Sequence, residues 1–473
     1  KIFGGFYKTG AWTGIQKTIE SVYGGKRQKK IREWLKKQGF NSKVVFCDHH
    51  MAHAASAYYT SGKKRSLVIT SDGSGDSLSS IAALGENGRL EKLSETGSYN
   101  SLGKFYEHVT FLCGFKPNKH EGKITGLAAF GRPIYENAFA KMIDFEKNNM
   151  ANKSGTRHGS TTSLIKKVIP EFTKEDLSAS IQNHTENAMT KFVKHWFDKT
   201  QVSDISTAGG LFANVKLNQK ILEIPGISSF FVHPHMGDGG LALGAALLAL
   251  SEAKLDSGNS LFPEKLENVY FGRGFSNQEI EKELNAEGIK ANYYENAEEK
   301  IAELAASGKI IGRYNGRMEY GPRALGNRTI IANPTDRKIN DWLNKKLHRT
   351  EFMPFAPAIM ESEARNFFEN YSAGKYPAQF MTITFNVNKE QAPKIPAVVH
   401  VDNTARPQTV TEKSNPSFYK ILKAYNEITG LPAFINTSFN IHEEPIVFTP
   451  NDAIRSFKQG AVDVLAAGNW IAE

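Results

Sequence analysis

At 473 residues the chain is too long for one compact core, and two domains of roughly 200 residues each are expected. Its 40% hydrophobic and 23% charged residues are those of an ordinary globular protein, no run approaches the ~20 apolar residues of a membrane helix, and two cysteines, Cys47 and Cys113, exclude a disulfide framework or thiolate metal site and fit a reducing, cytoplasmic setting. The net charge of +10 leaves nucleic acid, a membrane surface or a phosphorylated substrate to be weighed.

Much of that charge lies in one early run, Lys26, Arg27, Lys29, Lys30, Arg32, Lys36 and Lys37, which reads as a solvated helix face in preference to a nucleic-acid patch. His49 and His53 follow, four apart, with His50 between them, in a helix-forming stretch that ends near Gly62. Residues at i and i+4 share a helix face, so the two imidazoles could hold one metal ion, although such a pair alone is more often surface or core histidine. Ser66 to Thr70 predicts a buried strand turned by Asp72-Gly73-Ser74-Gly75-Asp76. Ser80 to Leu84 and Leu90 to Leu93, joined at Asn87-Gly88, predict a hairpin. Strand, glycine turn and hairpin is how a half of the actin-like ATPase fold begins.

Helical patterns dominate from Ser101 to about Lys199. Ile205 to Ala208 predicts a short strand running into Gly209-Gly210, and Phe230 to Val232 another, followed by a glycine turn and a helix from Gly240. Asp72 and Asp238 thus both fall at strand-end turns. Together with His49 and His53 they would make a two-histidine, carboxylate set suited to Fe(II), Mn(II) or Zn(II). His233 and His235 are read as lining residues. Gly209 to Asn214 and Gly237 to Gly240 would let backbone approach a phosphate or ribose; neither is a Walker motif, and either alone reads equally well as a tight turn.

The boundary is placed at Lys254 to Lys265, rich in Ser, Gly, Asn and Pro. Beyond it, a helix at Glu298 to Ser307, a strand at Ile310 to Tyr314, a helix at Lys338 to Leu347, and strands around Phe380 to Phe385 and Ala433 to Ile435 predict a second α/β domain. Arg313, Arg317, Arg323 and Arg328 alternate with glycine and apolar residues, a pattern of anion binding more than of solvated surface. His348, Arg349, Arg406 and Asn436-Thr437-Ser438-Phe439-Asn440 follow.

These stretches resemble the ATP-dependent O-carbamoyltransferases, the family of nodulation protein U and the cephamycin and tobramycin carbamoyltransferases. The match runs in order through His49 to Ala57, Asp72-Gly73, Glu121 to Ala128, Gly209 to Asn214, Gly237 to Gly244, Gly321 to Arg328, Pro354 to Pro357, Thr404 to Arg406 and Asn436 to Asn440. The resemblance implies an α/β protein with an actin-like (ribonuclease-H-like) domain over residues 1–254 and a YrdC-like domain over 262–473. The second would make carbamoyl adenylate from carbamoyl phosphate and ATP; the first, with bound iron as Fe(II), would pass the carbamoyl to a hydroxyl of a sugar, antibiotic or lipo-oligosaccharide. Carried over by position, His49, His53, Asp72 and Asp238 would be metal ligands. Gly209, Gly210, Asn214, Gly239, Glu121 and Lys123 would bind nucleotide. Arg323, Arg349, Arg406 and Asn440 would hold carbamoyl phosphate or its adenylate.

Two departures are visible. The family's opening strand and turn with a His-Asp pair, its first phosphate loop, is not among these residues, and Met353 and His442 stand where some relatives carry arginine. A homodimer, no membrane and no nucleic acid complete the expectation. A tRNA-modifying threonylcarbamoyl enzyme, favoured by the charge, and a non-catalytic nucleotide- or metal-binding relative are the alternatives.

Overall fold

The computed structural model describes residues 11–156, 158–347, 355–441 and 444–473. Of the residues singled out above, His348, Arg349, Met353, Pro354 and His442 lie outside them. The chain divides into two α/β units, Lys1–Leu266 and Glu267–Glu473. Among the described residues no helix is long and apolar enough to cross a membrane.

The first unit is built on five strands in the order Arg89–Gly97, Leu78–Glu86, Arg65–Gly75, Asp204–Ala208 and Ser229–Val232. Each of the first three is antiparallel to its neighbour and the last two run parallel to Arg65–Gly75. The central strand is covered on both faces, which is why Leu67, Val68 and Ile69 form an unbroken apolar run. Asn87 and Gly88 both take positive φ, 50° and 78°, the two-residue turn whose twist matches a hairpin. The expected turn at Asp72 to Asp76 is displaced. The strand continues through Asp72 to Gly75 with a bulge after Ser71, because pairing with the neighbouring strand resumes at Gly75 opposite Leu78, and the chain reverses at Asp76 and Ser77.

Helices Leu102–Leu112, Glu121–Ala128, Glu136–Met142, His158–Val168 and Lys174–Thr200 fill the region expected to be helical. A hairpin, Ile143–Glu146 with Asn149–Asn152, interrupts them; four-residue strands are too short for alternation to stand out.

The helix His49–Tyr59 is capped by Asp48, whose carboxylate accepts the Met51 N–H at 3.0 Å. Its alanines, Ala52, Ala54, Ala55 and Ala57, are buried and leave room for the helix Leu241–Asp256 to lie against it. Tyr59 Oη meets Ser251 Oγ at 2.6 Å across that contact. At the crossing, a Cβ on Gly244 would collide with the Ala52 carbonyl. Gly244→Val is therefore expected to lower stability by about 1–3 kcal/mol, the usual cost of overpacking. Thermal unfolding checks this against Gly159→Ala, which meets open space and is expected to leave the midpoint unchanged or slightly raised.

The second unit holds an eight-stranded mixed sheet in the order Gln408–Val410, Ala356–Met360, Ala433–Ser438, Arg328–Ala332, Ile311–Tyr314, Val464–Ala467, Trp470–Ala472 and Asn292–Tyr293. The strand expected around Phe380 to Phe385 shrinks to Phe385–Asn386, paired with Thr404–Ala405. The preceding residues are a buried connection after the helix Tyr371–Ala378, so their apolar run reports burial and not pairing.

Candidate functional site

In the first unit one ligating atom from each of His49, His53, Asp72 and Asp238 lies within 4.8 Å of the others. His53 Nε2 is 3.2 Å from Asp72 Oδ2 and 3.5 Å from Asp238 Oδ1; His49 Nε2 is 3.8 Å and 3.6 Å from the same atoms. The capped helix presents the two imidazoles one turn apart. The bulge after Ser71 and the turn after Pro234 bring in the carboxylates. Asp72 is fixed by two backbone donors, Gly73 N–H to Oδ1 at 2.6 Å and Gly210 N–H to Oδ2 at 3.3 Å. The His53 side chain is fully buried, whereas Asp238 is 71% exposed, so the cluster opens to solvent on one side.

Burial alone would lower the His53 pKa, but the Asp238 and Asp72 carboxylates outweigh it and raise it above the ordinary imidazole value. Burial alone would raise Asp72, yet the imidazoles of His49 and His53 and the Gly73 N–H hold it well below the usual carboxylate range. The imidazole–carboxylate spacings of 3.2–3.8 Å lie within a few tenths of an ångström of the edges of a metal polyhedron, about 3.0–3.4 Å for bonds of ~2.1 Å. His49 Nε2 is buried without a hydrogen bond, which a ligand role would satisfy. The residues fit a divalent ion.

Two neighbouring imidazoles are turned elsewhere. His50 is buried with Nδ1 2.7 Å from Thr70 Oγ1, and burial pushes its pKa down to about 4. His233 Nδ1 meets Thr60 Oγ1 at 3.0 Å, with its pKa pushed down by burial to about 3.

Gly209, at φ 107°, lies against the Ser71 backbone and donates to the Met236 carbonyl at 2.6 Å. Gly209, Gly210 and Gly239 therefore all flank the cluster. Asn214 caps the helix Val215–Leu222 by accepting the Leu217 N–H at 3.1 Å and exchanges two hydrogen bonds with the Gln182 amide. Its buried side chain organises the loop from within. Glu121 Oε1 accepts the Asn118 N–H at 2.7 Å, and Lys123 lies over the Phe115 ring. Asn118 also donates to Glu107, which pairs with Lys104 beside Gly73. Lys104 and Glu107 carry no signal in the sequence, because the amphipathic helix that holds them accounts for such charges as surface.

In the second unit the arginine-rich stretch sorts into two kinds. Arg313 and Arg328 are buried and spent on the chain itself: Arg313 on the Gly326 carbonyl, Asn327 and Ser417, Arg328 on the Asn315, Gly316 and Asn327 carbonyls, with its guanidinium 3.8 Å over the Tyr314 ring. Arg317 caps the Phe271 and Gly272 carbonyls. The sequence pattern predicts anion binding for these three, but the irregular backbone of the glycine-rich run leaves carbonyls that need donors, and they supply them.

Arg323 is different. Burial lowers its pKa to about 10, leaving it charged at neutral pH, and unlike the other three its guanidinium meets no carbonyl among the described residues. The turn that carries it is fastened on all sides. Glu319, 6% exposed, accepts the N–H groups of Leu325, Asn327 and Arg328 on one carboxylate oxygen, while Tyr270 and Gln408 both donate to the Leu325 carbonyl at 2.7 Å and Asn436 to that of Ala324 at 3.1 Å. Arg406 lies two residues before Gln408 and is half-buried. Asn440 follows the strand paired with Arg328–Ala332, its side chain bonded to Ser438 and the Glu444 carbonyl. Arg323, Arg406 and Asn440 thus sit on segments tied to one network. Its anchor, Glu319, is not among the residues that sequence reasoning singles out.

Residues 10–247 match the family model described as carbamoyltransferase N-terminus, and residues 302–473 the one described as carbamoyltransferase C-terminus. An uncharacterized protein of Methanocaldococcus jannaschii is 36% identical over 97% of this chain and 78% of its own length. Nodulation protein NolO of Bradyrhizobium diazoefficiens is 36% identical over 90% of this chain and 78% of its own length. Nodulation protein U of Rhizobium tropici is 34% identical over 55% of this chain and 42% of its own length.

Proposed function

This chain belongs to the carbamoyltransferase family, and on that premise we propose that it uses ATP to activate the carbamoyl group of carbamoyl phosphate as carbamoyl adenylate and passes it to a hydroxyl of a small acceptor of sugar, antibiotic or lipo-oligosaccharide type. The observation that carries this reading is the pairing, in one chain, of a two-histidine, two-carboxylate cluster with a separately fastened arginine turn. An alcohol is a poor nucleophile and a carbamate a poor electrophile, so the reaction needs both a good leaving group and charge stabilisation.

The second unit, taken as YrdC-like, is assigned the activation. Arg323 would hold donor phosphate through its guanidinium, with Arg349, Arg406 and Asn440 as further contacts. Glu319, Gln408 and Asn436 keep the turn from moving as charge shifts, which is what electrostatic preorganisation requires. The first unit, taken as actin-like from its antiparallel strands, bulged glycine segment and hairpin, is assigned the transfer. There the backbone of Gly209, Gly210 and Gly239 would meet the nucleotide, with Glu121 and Lys123 on the neighbouring helix. His49, His53, Asp72 and Asp238 would hold one divalent ion, with Fe(II) the expected occupant. Such an ion supplies Lewis acidity toward a carbonyl or phosphate oxygen.

The test is pyrophosphate release by the intact chain. Release is expected only when ATP and carbamoyl phosphate are both present. Release from ATP alone, or none with both, would overturn the assignment.

A further inference from the structure

The cluster carries two carboxylates, which match the charge of one divalent ion and leave no positive charge over for an anionic substrate. A cation stands beside it. The helix Leu102–Leu112 begins against the Asp72 segment: Ser101 Oγ caps the Lys104 N–H at 3.1 Å and donates to the Asp72 carbonyl at 3.3 Å. The approach is close enough that a Cβ on Gly103 would stand 3.0 Å from the Asp72 carbonyl oxygen. Lys104 Nζ lies 3.7 Å from the Cβ position of Gly73, the residue whose N–H holds Asp72. The Lys104 side chain is 25% exposed and its ammonium is bonded to Glu107 at 2.6 Å, and Glu107 is steadied by Asn118 Nδ2 at 3.3 Å. One of three ammonium donors is thereby used.

We propose that Lys104 receives the donor phosphate at this cluster, an assignment that rests on the carbamoyl-transfer reading and names the residue that completes its charge balance. Carbamoyl adenylate brings one negative charge. In transfer the acceptor oxygen bonds the carbonyl carbon, the bond from that carbon to the phosphate oxygen breaks with its electron pair, AMP departs with a second negative charge, and the acceptor's proton passes to water. A partly exposed ammonium with donors to spare suits that growing charge, and the helix N-terminus adds to it. The Lys104–Glu107 contact is a single i, i+3 ion pair on a helix surface, a weak contribution to helix stability, so removing it leaves the fold intact.

The test uses the intact chain loaded with Mn(II), whose paramagnetism broadens only resonances near the cluster. Titrated AMP is followed by its phosphorus line and adenosine by its H8 proton line. Lys104→Met is expected to weaken AMP about tenfold, to leave adenosine and bound manganese unchanged, and to be rescued by Lys104→Arg. Equal AMP affinity in the methionine variant, or an equal loss for AMP and adenosine, would overturn the assignment. So would a wild type that holds manganese but does not broaden AMP. A wild type with neither manganese nor carbamoyl-dependent pyrophosphate release would sink the transfer reading itself.

Discussion

His53→Ala is expected to strip the protein of its metal and stop carbamoylation of the acceptor while leaving carbamoyl-dependent pyrophosphate release largely intact. His53 is fully buried and closest to both carboxylates, at 3.2 and 3.5 Å. Losing it leaves three donors, one on the 71% exposed Asp238. His50→Gln is the control. His50 is also buried, but it faces Thr70 and not the carboxylates, so its variant is expected to keep a full equivalent. Each substitution carries a cavity or polar cost of a few kcal/mol, so stability does not separate them. Elemental analysis after anaerobic purification with Fe(II) does. A metal-free wild type, or a His53→Ala protein with one equivalent, would refute the assignment.

Arg323→Lys is expected to slow carbamoyl-dependent pyrophosphate release by some 30- to 1000-fold, about 2–4 kcal/mol, the range for losing a paired charge contact in a closed site. Lysine keeps the charge and loses the fork. The neighbouring Arg328→Lys gives a different result. Arg328 serves three backbone carbonyls and the Tyr314 ring, so its loss should appear as a lower unfolding midpoint. Steady-state kinetics beside thermal unfolding distinguish the two. Unchanged kinetics in Arg323→Lys would return that residue to the role of surface charge.

Local signals are legible in this sequence. Asn87-Gly88 dictates its turn by itself, and residues four apart on a short helix share a face whatever packs around them. Spacing alone therefore pairs His49 with His53. Asp238 lies far along the chain from both, and no periodicity encodes that it joins them. Arginines pose a harder problem. Arg313, Arg317, Arg323 and Arg328 look alike in a glycine-rich run, and only the position of backbone carbonyls separates three that serve the fold from one whose guanidinium meets none of them among the described residues. The hairpin at Ile143–Asn152 and the buried connection before Phe385 elude sequence patterns because short strands and buried loops have the same composition. Asn214, assigned to nucleotide by resemblance, shows a further limit: a capping asparagine and a ligand-binding one are the same letter.

The His49 ring rests against the backbone of Gly75, where an added Cβ would fall on the imidazole. A single methyl group there would push one donor away from the other three without altering any of them. A chain could therefore keep both histidines and both aspartates and still lose the cluster. Comparative genomics that scores relatives by those four letters would count such chains as metalloenzymes, and the letter to check beside them is the glycine.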